Sequence, residues 1–118
     1  MTPVLVAIGG AVGVMARFGL SRWAEGGPSL LWTTAAINIA GSFVLGLLVA
    51  QRHFSSQAQS ALGVGLLGGF TTYSTFSVQA VLEWEGGRQQ LAIAYLVVSV
   101  IGGLAAAVAG IVLGRQIA

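Results

Sequence analysis

The chain has 118 residues, of which 56% are hydrophobic and only 7% are charged, with a mean hydropathy of +0.90 and a formal net charge of +2. A soluble domain carries roughly 25% charged residues, so most of this chain's surface must face lipid rather than water. Its five arginines are too sparse for the clustered basic face that nucleic-acid binding needs. The lack of cysteine excludes disulfides and thiolate metal sites.

Four segments have the length and composition of membrane spans, which need about 20 mostly apolar residues. The first apolar run begins without a basic leader and continues past the length of a signal core, so we predict that it stays in the protein. Residues 1–118 are therefore predicted to form a single four-span transmembrane domain. The predicted spans are Pro3–Trp23, Leu30–Ala50, Ala58–Leu82 and Leu91–Leu113.

Each predicted span carries two small residues four positions apart, a spacing that lets helix backbones approach closely. Packing within one bundle and packing between copies both explain such pairs. Four helices alone bury little polar interior, which favours an oligomer. The pairs are Gly9 and Gly13, Ser42 and Gly46, Gly65 and Gly69, and Gly110 and Gly114.

The distribution of arginines between the two sides hardly indicates how the chain is oriented in the membrane. The side that holds both termini receives Arg52, His53 and Arg115, whereas the other side receives Arg22, Arg88 and, by snorkelling, Arg17. The positive-inside rule needs an imbalance between the two sides, and this count has almost none. Either other signals orient the chain weakly, or it inserts in both directions and pairs antiparallel; the sequence leaves both open.

The window GGFTTYSTFS, Gly68–Ser77, places six hydroxyl side chains in the middle of the third span. Glycine and threonine weaken a helix, and lipid cannot satisfy the backbone groups that a break releases. One interpretation is a helix broken near the bilayer midplane, whose free carbonyl groups bind a cation. The other is a bent helix whose hydroxyl groups bond to carbonyl groups four residues earlier. The composition favours neither.

Three further side chains are candidates for contact with an anion. Asn38 is the one amide in the second span, and it either joins two helices or offers its N–H donors to a dehydrated anion. Tyr73 and Phe76 are three residues apart and share a helical face. The edge of an aromatic ring is partly positive and can contact an anion, although ordinary packing is the more common role.

The segments GGFTTYSTFS, NIAGSF and GGAVGVMARFGL, with Tyr95 and Ser99 in the fourth span, resemble the CrcB, or Fluc, fluoride channels over the whole chain. The resemblance implies an all-α membrane protein with four transmembrane helices per subunit and an antiparallel, dual-topology homodimer. It implies two pores through which fluoride leaves the cytoplasm passively across the inner (plasma) membrane of a microbe. It also implies a structural sodium ion (Na+) on the dimer axis, held by backbone carbonyls of Gly68 and Thr71.

The same resemblance implies roles for individual side chains along the fluoride path. Fluoride would contact Asn38, Tyr73 and Phe76, receive hydroxyl donors from Ser74, Thr75, Tyr95 and Ser99, and be concentrated by Arg17 near a vestibule. Neutral donors replace the water shell of the ion without trapping it, and we expect no basic side chain at that depth in the spans. Two residues depart from the family pattern: Tyr73 stands where phenylalanine is usual, and Gln79 where glutamate is frequent.

Two other classes of membrane protein have this size. A small multidrug exporter needs a membrane-embedded carboxylate, but Glu25, Glu83 and Glu85 all fall in or beside loops. A non-transporting membrane subunit that scaffolds a larger complex would explain the glycines but not the hydroxyl-rich window. We expect no enzymatic activity, because His53 lies in a loop without an embedded acid or thiol partner.

Overall fold

The computed structural model describes residues 1–26 and 28–118, and these residues form helices joined by short loops, with no strand among them. The predicted all-α fold is confirmed. The helices are α1 (Thr2–Trp23), α2 (Pro28–Val49), α3 (Ser56–Gln59), a π-helix (Ser60–Leu67), α4 (Gly68–Phe70), α5 (Tyr73–Glu85) and α6 (Gln89–Ile117).

Within the described residues, three unbroken helices are long and apolar enough to cross a membrane: Thr2–Trp23, Ser29–Val49 and Gln89–Ile117. Their apolar side chains point mostly outward, since only 6% of the span in α1 and 11% of the span in α6 is buried. Outward apolar faces of this extent are stable only in lipid. The chain is therefore a multi-pass membrane protein.

The third predicted span corresponds to a helical segment that runs from Ser56 to Glu85 and is interrupted only at Thr71 and Thr72. No single piece of it is long enough to cross a bilayer. The pieces before and after the break have 15 and 13 residues and are about 22 and 20 Å long, against a hydrocarbon core of about 30 Å. The piece before the break contains the π-helix, in which the N–H of Gly68 donates to the carbonyl of Gly63, five residues earlier. π-Helical segments are rare in proteins, and many of those that occur lie at functional sites.

Glycines set the packing of two helix pairs, α1 against the π-helix and α4, and α2 against α6. A Cβ atom on Gly65 would lie 2.7 Å from the carbonyl oxygen of Val6, and one on Gly46 would lie 2.6 Å from that of Ala107. Seven of the eight predicted small residues make such close contacts within the chain, the exception being Ser42; they are Gly9, Gly13, Gly46, Gly65, Gly69, Gly110 and Gly114. The small-residue pairs therefore pack helices of one chain together.

A small apolar core fastens α5 to the second helix pair. It consists of Leu31, Ala35, Phe76, Ala80 and Tyr95, from α2, α5 and α6. The part of the third segment before the break thus packs on α1, whereas α5 packs on α6. The break at residues 71–72 is the point where the chain passes from one helix pair to the other.

A tight turn makes α5 and α6 antiparallel neighbours. Gly87 has φ of +83°, a left-handed conformation that glycine adopts without a steric cost. The backbone N–H of Arg88 donates to the carbonyl of Glu83 at 3.0 Å, and the two side chains form an ion pair. The hydrogen bond to the Glu83 carboxylate and its negative charge raise the pKa of Arg88. The opposite charges of the two side chains compensate each other in the turn.

Candidate functional site

The third helical segment is broken at Thr71 and Thr72, as the first interpretation of the hydroxyl-rich window predicted. Both residues have extended backbones, with φ and ψ of −87° and 161° at Thr71 and −152° and 123° at Thr72. The second interpretation also holds in part, since the hydroxyl groups of Thr71 and Ser77 donate to the carbonyl groups of Leu67 and Tyr73, four residues earlier, both at 3.0 Å. Hydroxyl bonding therefore accompanies the break instead of replacing it.

Asn38 on α2 satisfies the backbone of the broken segment. Its Nδ2 donates to the carbonyl of Thr72 at 2.9 Å, and its Oδ1 accepts the N–H of Thr72 at 2.8 Å. The bond to Oδ1 replaces the helical bond that the Thr72 N–H loses at the break and that lipid could not supply. The bond from Nδ2 is an additional one to the carbonyl of the residue that caps α5. An amide NH₂ group carries two donors, so one N–H of Asn38 remains after this exchange. Asn38 therefore joins two helices and keeps one donor.

The carbonyl groups of Gly68 and Thr71 are among those that lose their usual donors at the break. In a continuous helix the carbonyl of Gly68 would accept from the N–H of Thr72, and that of Thr71 from the N–H of Thr75. Here the N–H of Thr72 donates to Asn38, and the N–H of Thr75 donates to the Thr72 hydroxyl at 3.3 Å. Both carbonyl oxygens are thus free of their helical partners. These are the two oxygens that the family resemblance assigns to sodium.

Side-chain clusters typical of transition-metal sites do not occur here: residues 1–26 and 28–118 hold no group of three or more histidine, cysteine or acidic side chains that could bind an ion. A cation at the break would therefore have backbone and hydroxyl oxygens as ligands. Hard oxygen ligands of this kind suit an alkali-metal or alkaline-earth ion better than a transition metal.

Arg17 reaches the broken segment from α1. Its Nε donates to the carbonyl of Gly69 at 3.1 Å in a partly buried position. In a continuous helix the N–H of Tyr73 would donate to that carbonyl. The guanidinium therefore replaces a donor that the break removes. The expectation that no basic side chain lies at the depth of the hydroxyl cluster is wrong for Arg17, because its long side chain extends to the end of α4.

A groove of about 340 Å³ lies beside the break, between α2, the broken segment and α6. It brings together six of the predicted site residues, namely Asn38, Gly68, Thr71, Tyr73, Phe76 and Ser99. Its remaining lining comes from Gly41, Ser42, Leu45, Gly63, Leu67, Thr72 and Val100. The groove is largely apolar, but its lining includes Asn38, hydroxyl-bearing residues and both residues whose carbonyl groups have lost their helical donors.

Ser99 lines this groove, and its hydroxyl group is buried. The residue is 8% exposed, and its Oγ has no hydrogen-bond partner within the part of the chain that the structure describes. An unsatisfied buried hydroxyl costs about 1–3 kcal/mol of stability. Ser99 therefore carries, on a residue that lines the groove, a donor that no other described residue uses.

Three aromatic rings form a chain, of which Tyr73 and Phe76 line the groove. The centroids of Tyr73 and Phe76 are 6.2 Å apart, and those of Phe76 and Tyr95 are 5.1 Å apart with an edge-to-face tilt of 60°. Phe76 and Tyr95 are buried, whereas Tyr73 is 81% exposed. The Tyr73 ring therefore stands at the open side of the groove, and its neighbour Phe76 is held firmly by the core.

The hydroxyl group of Tyr95 is already engaged. It donates to Oε1 of Gln79 at 2.7 Å, and the Tyr95 side chain does not line the groove. Gln79 stands where the family frequently has glutamate, and as an amide it accepts this bond without a negative charge. In the single chain Tyr95 positions Phe76 and Gln79 instead of facing the groove.

The other predicted hydroxyl donors also lie outside the groove. Ser74 is exposed, and Thr75 is half-buried with its backbone N–H bound to the cap of α5. Two polar residues that were not predicted as site residues also line the groove, Ser42 and Thr72. Ser42 donates to the carbonyl of Asn38 at 2.8 Å, and its position four residues after Asn38, on the same helix face, was the available signal.

Comparison with known proteins agrees with the resemblance. Residues 4–111 match the family model described as CrcB-like protein, Camphor Resistance (CrcB). A fluoride-specific ion channel FluC of Agrobacterium fabrum is 43% identical over 96% of this chain and 95% of its own length. Proteins of the same name from Chelativorans sp. and Thermus thermophilus are 43% and 40% identical, over 97% and 94% of this chain and 96% and 91% of their own lengths. This chain belongs to the CrcB family.

Proposed function

We propose that this chain forms a fluoride-selective channel, and not an enzyme, through which fluoride leaves the cytoplasm down its gradient. Relatives that match nearly the whole chain are named fluoride-specific ion channels. The observation that carries the proposal is the buried, unpartnered hydroxyl of Ser99 on a groove wall that Asn38 and Phe76 share. Fluoride is small and strongly hydrated, so a pore must offer donors in place of water.

The groove supplies such donors without a fixed charge on its walls. Ser99 offers its O–H group, Asn38 its remaining N–H group, and Phe76 the partly positive edge of its ring. Neutral donors stabilise the anion less than a cation would, so the ion can leave again. Arg17 lies one helix away at Gly69, where its charge raises the local anion concentration without direct contact in the groove.

We propose that two copies pair antiparallel to complete the channel. In one copy, Gly68 is exposed and the groove with Asn38, Ser42 and Thr71 opens to the outside of the helix bundle. Lipid cannot satisfy such polar groups, but the same groove of a second copy can cover them. The near-equal arginine count on the two sides allows insertion in both directions. A dimer of four-span subunits, with Ser56–Glu85 as the third span broken near the midplane, has two such grooves and hence two pores.

The carbonyl oxygens of Gly68 and Thr71 fit a sodium ion, because both have lost their helical donors. The residues that would hold it are these two from each subunit. A bound sodium ion supplies positive charge that offsets the partial negative charge of the carbonyl groups. The role is structural: it would hold the two breaks together at the dimer axis.

The position of the acidic residues distinguishes this proposal from proton-coupled drug export. Glu25 follows the end of α1, and Glu83 and Glu85 lie in the last turn of α5, with Glu83 paired to Arg88. None of the three is in the middle of a described helix, where an exporter needs its carboxylate.

The test is anion release from liposomes that contain the purified protein and are loaded with either potassium fluoride or potassium chloride. We expect fluoride to leave and chloride to be retained; equal release of both ions would contradict fluoride selectivity. Antiparallel pairing is tested by adding arginines to the loops on one side. A single biased variant should lose flux and regain it with an oppositely biased copy, whereas full flux from the single variant would refute the antiparallel dimer.

A further inference from the structure

A second polar site lies at the end of α2 and α6, away from the break. A cavity of about 460 Å³ is lined by Val49, Ala50, Arg52, Arg115 and Ala118. Gln51 ties the two helices together here, because its Nε2 donates to the carbonyl groups of Leu47 and Gly114, both at 3.3 Å. Arg52 follows Gln51 in the sequence and Arg115 follows Gly114, so the bond to Gly114 holds both arginines beside the same cavity.

Among the described residues, these two arginines differ from the other three in having no side-chain partner. Arg17 donates to Gly69, Arg22 lies 3.4 Å from Glu25, and Arg88 pairs with Glu83. Over the described ranges, 1–26 and 28–118, neither Arg52 nor Arg115 forms a salt bridge or a side-chain hydrogen bond. The three glutamates of the chain stand near the start of α2 and of α6, at the opposite end of both helices.

The depth of the cavity is that of lipid headgroups. The 29 residues of α6 make a helix about 43 Å long, whereas the hydrocarbon core is about 30 Å thick. The last turn, with Arg115, therefore reaches the headgroup region, and Arg52 follows the end of α2 at the same level. The walls formed by Val49 and Ala50 are apolar, which suits the glycerol and the first methylene groups of a lipid.

We propose that Arg52 and Arg115 form a binding site for the phosphate of an anionic phospholipid. A guanidinium group presents a planar fork of N–H donors that matches phosphate oxygens, and two such groups beside one cavity bind one phosphate from two sides. The net charge of an anionic headgroup then compensates the unpaired charge at this end of the molecule. Each arginine contributes about fivefold in affinity for an anionic over a neutral lipid.

The experiment uses the purified, delipidated full chain in detergent and measures lipid adducts by native mass spectrometry. Phosphatidylglycerol and phosphatidylcholine with identical acyl chains are the two probes. The wild type should prefer phosphatidylglycerol, and Arg52→Gln/Arg115→Gln should lose that preference. The matched control, Arg22→Gln/Arg88→Gln, removes the same net charge at the opposite end. It should keep the preference for phosphatidylglycerol.

Several results would overturn the proposal. If Arg52→Gln/Arg115→Gln keeps the preference for phosphatidylglycerol, the lipid binds to another surface. If the preference falls equally in the control, it depends on net charge alone. Displacement of the lipid by millimolar inorganic phosphate would identify a site for the free anion instead. If the double variant elutes as an aggregate, the single variants Arg52→Gln and Arg115→Gln decide the question, each with an expected loss of about fivefold.

Discussion

Asn38 and Thr72 exchange two hydrogen bonds, at 2.9 and 2.8 Å, across 34 residues of sequence. Through this exchange one side chain on α2 replaces the helical bond that the N–H of Thr72 gives up at the break. The same exchange withdraws the N–H of Thr72 from the carbonyl of Gly68, so a single amide both stabilises the break and frees an oxygen.

Asn38→Asp should therefore lower fluoride flux at least about tenfold, which corresponds to about 1.4 kcal/mol in the barrier. The carboxylate cannot donate to the Thr72 carbonyl, and its negative charge stands beside the anion path. Flux is measured by fluoride release from liposomes. Gln90→Glu, the same amide-to-acid change at the exposed start of α6, is the control and should conduct normally. Normal flux in Asn38→Asp would remove Asn38 from the path.

Ser99→Ala should separate function from stability. The hydroxyl has no partner in the described chain, so its removal should leave the thermal unfolding midpoint unchanged or higher, while fluoride flux decreases because a donor is lost. The control is Ser77→Ala, whose hydroxyl bonds to Tyr73 at an exposed position outside the groove. A clearly lower unfolding midpoint in Ser99→Ala would show that the hydroxyl has a structural role. Fluoride flux equal to that of Ser77→Ala would show that the hydroxyl has no role in conduction.

Two substitutions separate the contribution of the Arg17 hydrogen bond from that of its charge. In Arg17→Gln the side-chain nitrogen takes the position of Nε and can still donate to Gly69, whereas Arg17→Met has neither donor nor charge. We expect Arg17→Met to be less stable by about 1–3 kcal/mol, because the carbonyl is left unsatisfied. Arg17→Gln should remain stable and lose flux mainly at low salt, where charge acts over longer distances. Equal stability of the two variants would show that the bond to Gly69 contributes nothing.

Gly46→Ala should destabilise the α2–α6 pair by about 1–3 kcal/mol, since the new methyl group would meet the carbonyl of Ala107 at 2.6 Å. Gly19→Ala is the matched control, because a Cβ atom there has nothing within 4 Å and alanine favours a helix. Unfolding is followed by loss of the folded peak in size-exclusion chromatography after heating. An equal response of both variants would show that close packing at Gly46 is not needed.

Local sequence was sufficient for features that depend on composition and on the near neighbours of a residue. The scarcity of charge predicted a lipid-facing chain, and the apolar runs predicted α1, α2 and α6 to within a few residues. The mixture of glycine and threonine marked the position of the break as one of two interpretations, the other being a bent helix. Tyr73 and Phe76 were placed on one face by helical spacing, and their rings are indeed neighbours. Each of these follows from periodicity or from the backbone preferences of single residues.

Tertiary structure decided which groups satisfy the break and which remain free. That Asn38 engages Thr72, that Arg17 reaches Gly69, and that Tyr95 turns to Gln79 while Ser99 keeps an unused hydroxyl all depend on contacts between helices. Helical spacing states only which side chains share a face; it does not state which neighbour that face meets. The partner of a long polar side chain in lipid is chosen by helix packing, because every exposed backbone group there must find a donor or acceptor within the protein.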